Sequence, residues 1–521
     1  MFLRLLLVAG AVIAALVALF IPGSPEREPY VQGRNKTALF ISNIEHGLSN
    51  VHVATASALL EGYPDIEVHF ASFAKLRDKL ARVSAFAQTK TPAAKDIIFH
   101  EIRGQAFFEA VQLLGHDLES TISPPGIAGI DRFTKSMQDW ISPWSAEEHM
   151  VIYDEIGAII DEIDPAVVVL DTLLRPALDS TRDKNRLHAI VSPNPSLITS
   201  LVTNLTAACF GNTPPTFTDT QSLSSGFDFP VPWRNMLENI YLNFRFIYAV
   251  MLTPNLSAKK AELRTRGLKD PINFLKMHRP DVPWITMNTE GASIPVDVVP
   301  TNVTCAGPIL LSVAPASEQD PELAEWVGRG PTVLINLGSG FAYSINHVRP
   351  MVGAIVDVLT QTDVQVLWKF NKYGEYSDDE LAPLKQFLDS GRLRLSNWLP
   401  IDVLSLLETG DIVASVHHGG SNCFHEAVNA GVPHVILPLW VDLYNFAALS
   451  ETAGIGVWGC RDTSPNWTAD GISNAIIKVV DGGDASISLR EKAKSLGDKL
   501  RAGEKGRDIS AREIAKLAYV K

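Results

Sequence analysis

Val416–Asp442, VHHGGSNCFHEAVNAGVPHVILPLWVD, is the stretch on which the reading of this chain turns. A short apolar strand, Ile412 to Val416, leads into it, and a helix begins near Ser421. His418, Gly419, Gly420, Ser421 and Asn422 fill the junction between them. The first turn of a helix has N–H groups without intrahelical partners and a partial positive charge, and glycines let a bulky anion approach the backbone. The junction therefore suits phosphate. Beyond it Glu426 falls one turn into the helix, Gly431-Val432-Pro433 ends it, an apolar strand runs to Pro438, and Asp442 follows four residues later.

The alternation of strand and helix extends outward on both sides. Thr332 to Leu337 reads as a strand ending in Gly338-Ser339-Gly340, followed by strands at Val364 to Trp368 and Leu393 to Ser396 and a helix at Ile401 to Glu408. After the junction come a strand, His434 to Leu437, and a helix, Tyr444 to Glu451. The first half repeats the scheme: strand Thr37 to Ser42, a helix with apolar face Val51 to Leu60, strand Ile66 to Ala71, a helix at Met150 to Ile163, and strand Ala166 to Leu170 ending at Asp171. Parallel strands need long crossovers, and these spacings supply them, so the expectation is two doubly wound α/β domains. Ligands in such sheets bind beyond the carboxyl ends of the strands. The domains expected are 29–311 and 331–521, joined by SVAPASEQDPELAEWVGRG at 312–330. Between them in character is 212–281, irregular and then strongly aromatic, which reads either as a lid or as extra helix packed on the first domain.

The chain has 521 residues and a net charge of −13, which argues against a nucleic-acid partner because phosphate backbones call for a basic surface. Cys209, Cys305, Cys423 and Cys460 form no CxxC pair, and Cys423 reads as a small packing residue within the junction. His417, His418 and His425 lack the spacing of a zinc site. Residues 1–28 are different: Leu5 to Pro22 is almost wholly apolar after Arg4, and no small-x-small cleavage site follows. An uncleaved single-pass membrane anchor is favoured over a signal peptide, with the body in the endoplasmic reticulum or secretory pathway. The glycosylation sequons at Asn35, Asn204, Asn255, Asn302 and Asn466 are compatible with that location.

The block from SNWLPIDVLSLL through His418 to Asp442 resembles the donor signature of the UDP-dependent glycosyltransferases of the GT-B fold. The resemblance implies two Rossmann-like domains facing a central cleft. It also implies an inverting, metal-independent transfer from a UDP-sugar co-substrate, with no other cofactor. On that basis Trp398 matches the tryptophan that stacks on uracil. His418, Gly420, Ser421, Asn422 and Cys423 match the diphosphate segment, Glu426 the ribose carboxylate, Asp442 the acid that meets the sugar hydroxyls, and Gly338 and Ser339 a loop near the nucleotide. His46, in SNIEHGLSN, matches the general base, with His52 as fallback. Asp171 matches the carboxylate that orients it, with Asp179 as fallback. An imidazole titrating near neutrality suits proton removal from an attacking hydroxyl. This chain departs from the family at Ile401, where glutamine is usual, at Leu443 after Asp442, and at Phe446, where asparagine is expected. Glu45 also stands where the family has glycine. The resemblance implies transfer of a hexose to a hydroxyl of a small, fairly apolar acceptor of natural-product or xenobiotic type. Alternatives are a membrane-associated sterol or lipid glycosyltransferase, an inactive UDP-sugar-binding scaffold, and a sugar-nucleotide epimerase.

Overall fold

Two parallel sheets organise the chain, in a computed structural model that describes residues 28–193, 222, 224–251, 253–293 and 299–519. The first sheet has the order β3-β2-β1-β4-β5-β6-β7. Its strands are β1 (Arg34–Ile41), β2 (Glu67–Ser72), β3 (Ile98–Glu101), β4 (Pro165–Leu170), β5 (His188–Ser192), β6 (Trp284–Thr286) and β7 (Val303–Cys305). The second has the order β10-β9-β8-β11-β12-β13. It comprises β8 (Thr332–Ile335), β9 (Gln365–Lys369), β10 (Leu393–Ser396), β11 (Ile412–His417), β12 (His434–Ile436) and β13 (Gly456–Trp458). Strand order reverses between β1 and β4 in one sheet and between β8 and β11 in the other. These are the switch points at which open α/β sheets leave a crevice.

The central strands are apolar on both faces because helices cover both. Ala38 and Phe40 of β1 pack on one side with Val51, Leu59 and Leu60 of helix α1 (His46–Gly62). Leu39 and Ile41 pack on the other with Trp144, Ile156 and Ile160. Such strands read as continuous apolar runs rather than alternating ones.

The described residues between 224 and 281 pack on the first domain, largely through two helices, rather than as an irregular lid. Helix α2 (Met236–Met251) lies against Ile130–Ile141 through Leu242 and Phe246, and Pro254–Thr265 follows it. Residues 212–221 of the expected irregular region are outside the described residues.

One correction concerns the membrane. The single-pass anchor, the secretory-pathway location and the membrane partner were expected from the apolar N-terminus, but among the described residues no helix is long and apolar enough to cross a membrane. Residues 1–27, which carry that expectation, lie outside the described residues. The long helices present are amphipathic. Ala146–Ile163, for example, buries Ile152, Ile156 and Ile160 while carrying Asp154, Glu155, Asp161 and Glu162.

The last helix does not stay with the second domain, where the sequence boundaries put it. After Asp484–Ala502, which lies along that domain, α3 (Gly506–Ala518) crosses back and completes the first core with Ala511, Ile514, Ala515 and Ala518. Arg507 pairs with Glu61 of α1, and the Thr55 and Ser510 hydroxyls are 2.8 Å apart. Because Ile514 is fully buried, Ile514→Ala should cost about 2–5 kcal/mol of stability by leaving a cavity. Thermal or denaturant unfolding of the first domain is the measurement.

Candidate active site

His46 is the first residue of α1 and stands at the carboxyl end of β1. The helix starts four residues before the expected start near Asn50, because the N–H groups of Leu48 and Ser49 both reach the Glu45 carbonyl at 2.8 Å. The half-buried imidazole meets the edge of Trp398 with ring centroids 5.8 Å apart. Burial, with the charges of Lys79 and Lys369, lowers its pKa to about 4, so it is neutral at neutral pH. His52 is completely buried, and among the described residues neither ring nitrogen has a hydrogen-bond partner. It has no access to the cleft.

Asp171 is buried at the end of β4, across the switch point from His46. Its Oδ2 accepts from the Asn43 backbone N–H at 3.1 Å and from the Asn43 side-chain amide at 3.0 Å, and Oδ1 accepts from the Leu173 N–H at 2.9 Å. Among the described residues no hydrogen bond or ion pair joins it to His46. The carboxylate instead pins Asn43, and so braces the loop that ends in His46. Asn43 escaped the sequence reading, although an asparagine at the end of a buried strand was its signal. Asp179, the fallback, is buried away from the cleft and holds the Ile272 N–H at 2.9 and 3.1 Å.

The donor half is built around His418, just after β11. Its ring is held between two glycines: a Cβ at Gly420 would stand 2.6 Å from His418 Cε1 and Nε2, and one at Gly338 2.8 Å from Cε1. Gly338 also has φ +87. Burial brings the His418 pKa down to about 4, and its Nδ1 is buried without a hydrogen-bond partner among the described residues. Gly420 caps α4 (Ser421–Ala430), whose first-turn amides open beside it. Ser339 is exposed on the adjoining loop.

Two expected phosphate ligands bond across the cleft. The Ser421 hydroxyl donates to the Pro193 carbonyl at 2.5 Å, and the Asn422 amide donates to the His46 carbonyl at 2.7 Å. Burial pushes the Cys423 thiol up to about 12, which suits packing rather than nucleophilic chemistry. Glu426 is pushed up to about 8 by burial, opposed by Lys79 from the other domain. Asp442, which precedes α5 (Leu443–Thr452), is raised to about 6 by burial. Trp398 is 55% exposed, with Lys369 Nζ 4.5 Å from its ring centre.

At the departures from the family pattern, apolar residues fill the core. Ile401 packs with Leu399 and Leu406. Leu443 is buried, as is Phe446, whose ring lies 5.0 Å from that of Phe424. Asn445 is turned away, donating to the Ser222 carbonyl at 3.1 Å. Glu45 lies on the first-domain side of the cleft, where its Oε1 accepts from the Phe108 N–H at 2.9 Å, and burial raises its pKa to about 7.

This geometry agrees with what the chain is similar to. Residues 377–515 match the family described as erythromycin biosynthesis protein CIII-like, C-terminal domain. Over 473 residues the chain is 30% identical to glycosyltransferase sdnJ of Sordaria araneosa, covering 88% of this chain and 90% of that protein. Among solved structures, a UDP-glucosyltransferase from Polygonum tinctorium superimposes with TM-score 0.59 at 16% identity, covering 94% of this chain and 100% of that one. The glycotransferase of kitacinnamycin gives TM-score 0.58 at 16% identity, with coverage of 94% and 100%. At such identity the likeness concerns the fold. The chain belongs to the UDP-glycosyltransferase family of GT-B fold, and it is a glycosyltransferase.

The glycine pair around His418 gives a direct test. Gly420→Ala and Gly338→Ala should each displace the imidazole and weaken UDP binding about tenfold or more, equivalent to roughly 1.4 kcal/mol. Calorimetric titration with UDP, beside an unchanged far-UV spectrum, checks it.

Proposed function

We propose that the protein is an inverting glycosyltransferase that moves a hexose from a UDP-sugar to a hydroxyl of a small, fairly apolar acceptor. The observation that carries this reading is the 2.7 Å hydrogen bond from Asn422 to the His46 carbonyl. It brings a neutral histidine at one switch point against the amino end of the phosphate-suited helix at the other.

In the reaction, His46 removes the proton from the acceptor hydroxyl as its oxygen bonds to the anomeric carbon. The bond from that carbon to the β-phosphate oxygen breaks on the opposite face, and its electron pair leaves with UDP. The charge arriving on the diphosphate meets preorganised donors, the amides of the first turn of α4 and the His418 ring. Trp398 takes the uracil ring, Glu426 the ribose hydroxyls and Asp442 the sugar. Asp171 acts through Asn43, fixing the loop on which the base stands.

The acceptor side supports an apolar partner. Phe108 is 39% exposed, its ring lies 5.8 Å from Trp140, and a Cβ on Gly340 would be 3.9 Å from it. An aromatic wall thus stands between His46 and the Gly338 loop. The buried Leu443 and Phe446 leave the sugar without the amide contacts usual there, so the hexose is best identified by a panel of UDP-sugars. Mass-spectrometric detection of conjugates in a small-molecule extract tests activity, sugar and acceptor together. Consumption of donor with no conjugate from any acceptor would count against transfer.

Two outcomes follow. His46→Ala should lower turnover by about 10²–10⁴-fold while UDP affinity stays nearly constant, whereas His418→Ala should weaken UDP itself. Because the folded environment depresses the His46 pKa to about 4, its base form persists well below the ordinary 6.5. The acid limb of kcat/KM should therefore fall near pH 4, and a limb at 6.5 would argue for a base outside this buried setting.

A further inference from the structure

We infer that Lys369 is a donor-binding residue whose ammonium meets the nucleotide diphosphate and stabilises the charge that collects there as UDP departs. The inference rests on the donor reading above and adds a residue that no motif of the sequence singled out.

Lys369 is the last residue of β9, next to β8 in the sheet, and it is buried. Its Nζ donates to the Gly338 carbonyl at 2.8 Å, on the loop that backs the His418 ring. The same atom lies 4.5 Å from the centre of the Trp398 ring. Its charge acts on His418 within the second domain and on His46 across the cleft. Residues from four separate loops therefore converge on one ammonium, and each belongs to the site already described.

What this cation lacks is a counter-charge. Two other buried cations of the fold are paired, Arg507 with Glu61 and Arg186 with Asp164 at 2.7 Å, while Arg175 is buried with the Ile141 carbonyl and Asp171 and Asp179 acting on it from further off. Among the described residues no carboxylate lies within ion-pair distance of Lys369. Burying a charge without an opposite one is costly, and burial duly lowers its pKa. A purely structural lysine would be satisfied by the Gly338 carbonyl. An ammonium has three N–H groups, however, and here only one has an oxygen acceptor among the described residues.

The position suits both halves of a nucleotide. Lys369 takes one face of Trp398 by cation–π contact and leaves the exposed ring surface for a base. A diphosphate reaching from that base toward the amino end of α4 passes between Lys369 and His418. During transfer the proton of the acceptor goes to His46 and the electron pair of the broken bond goes to the β-phosphate oxygen. Lys369 stays protonated and opposes the added negative charge.

Binding of uridine, UMP and UDP to the wild type and to Lys369→Met, Lys369→Gln and Lys369→Arg tests the inference, with melting curves to confirm folding. The Met and Gln variants should bind uridine within about twofold of the wild type but UDP ten- to a hundredfold more weakly, with UMP between them. Arg should restore much of the UDP affinity, and kcat should fall in the Met variant beyond its effect on donor KM. Equal loss for uridine and UDP would make Lys369 a prop for the Gly338 loop and Trp398, and an unchanged UDP affinity would remove it from the site. Either result leaves the glycosyltransferase reading standing. Failure of the wild type to bind UDP would overturn both.

Discussion

The site depends on contact between loop ends of the two domains, above all where the Asn422 amide meets the carbonyl of His46. Each partner stands at the amino end of a helix, beyond the carboxyl end of a central parallel strand. Neither sheet contains a complete site. One supplies a neutral imidazole beside an aromatic wall, and the other supplies amides and a second neutral imidazole around an anion-sized opening. The cross-domain bonds from Asn422 and Ser421 join these halves, and the Tyr444 hydroxyl on the Ser123 carbonyl and the Ser123 N–H on the Leu439 carbonyl span the two domains beside them.

Within that frame, burial is the main influence on the chemistry. It keeps His46 and His418 neutral, raises Glu426 and Asp442, and leaves Lys369 as a cation without a carboxylate. A cleft with few compensated charges is poised for a partner that brings its own, and a sugar nucleotide is such a partner. The tight seating of His418 between Gly338 and Gly420 belongs to the same logic, since a ring held by backbone need not reorganise when charge arrives.

Much of this was legible in the sequence, for identifiable reasons. The central strands are long apolar runs, so β1, β4, β8 and β11 fell within a few residues of their expected places, and β10 matched its expected bounds. Gly431, left-handed at φ 76, ended α4 where the Gly-Val-Pro signal put it. The short strands β6 and β7, of three residues each, carry too little pattern to be read. His46 at a helix start was hidden by Gly47, Ser49 and Asn50, which look like loop until the Glu45 carbonyl is seen to nucleate the turn. Asp171 was placed correctly at its strand end, but its attachment to Asn43 is a matter of side-chain geometry that spacing does not encode. Lys369 lies one residue beyond the expected strand Val364 to Trp368, and its lack of a carboxylate partner among the described residues exists only in three dimensions.

The return of α3 to the first domain has a mechanical consequence. The backbone passes from one lobe to the other twice, once after Leu311 and again before Gly506, and the segments entering these passages touch: a Cβ on Gly506 would lie 2.4 Å from the Pro308 carbonyl. Two lobes tied by a single tether could twist and slide freely. Tied by a pair of tethers running side by side, they are left chiefly one freedom, a swing about the line of those tethers. Any such swing that widened the cleft would have to part the Asn422 and Ser421 bonds together, because both span it.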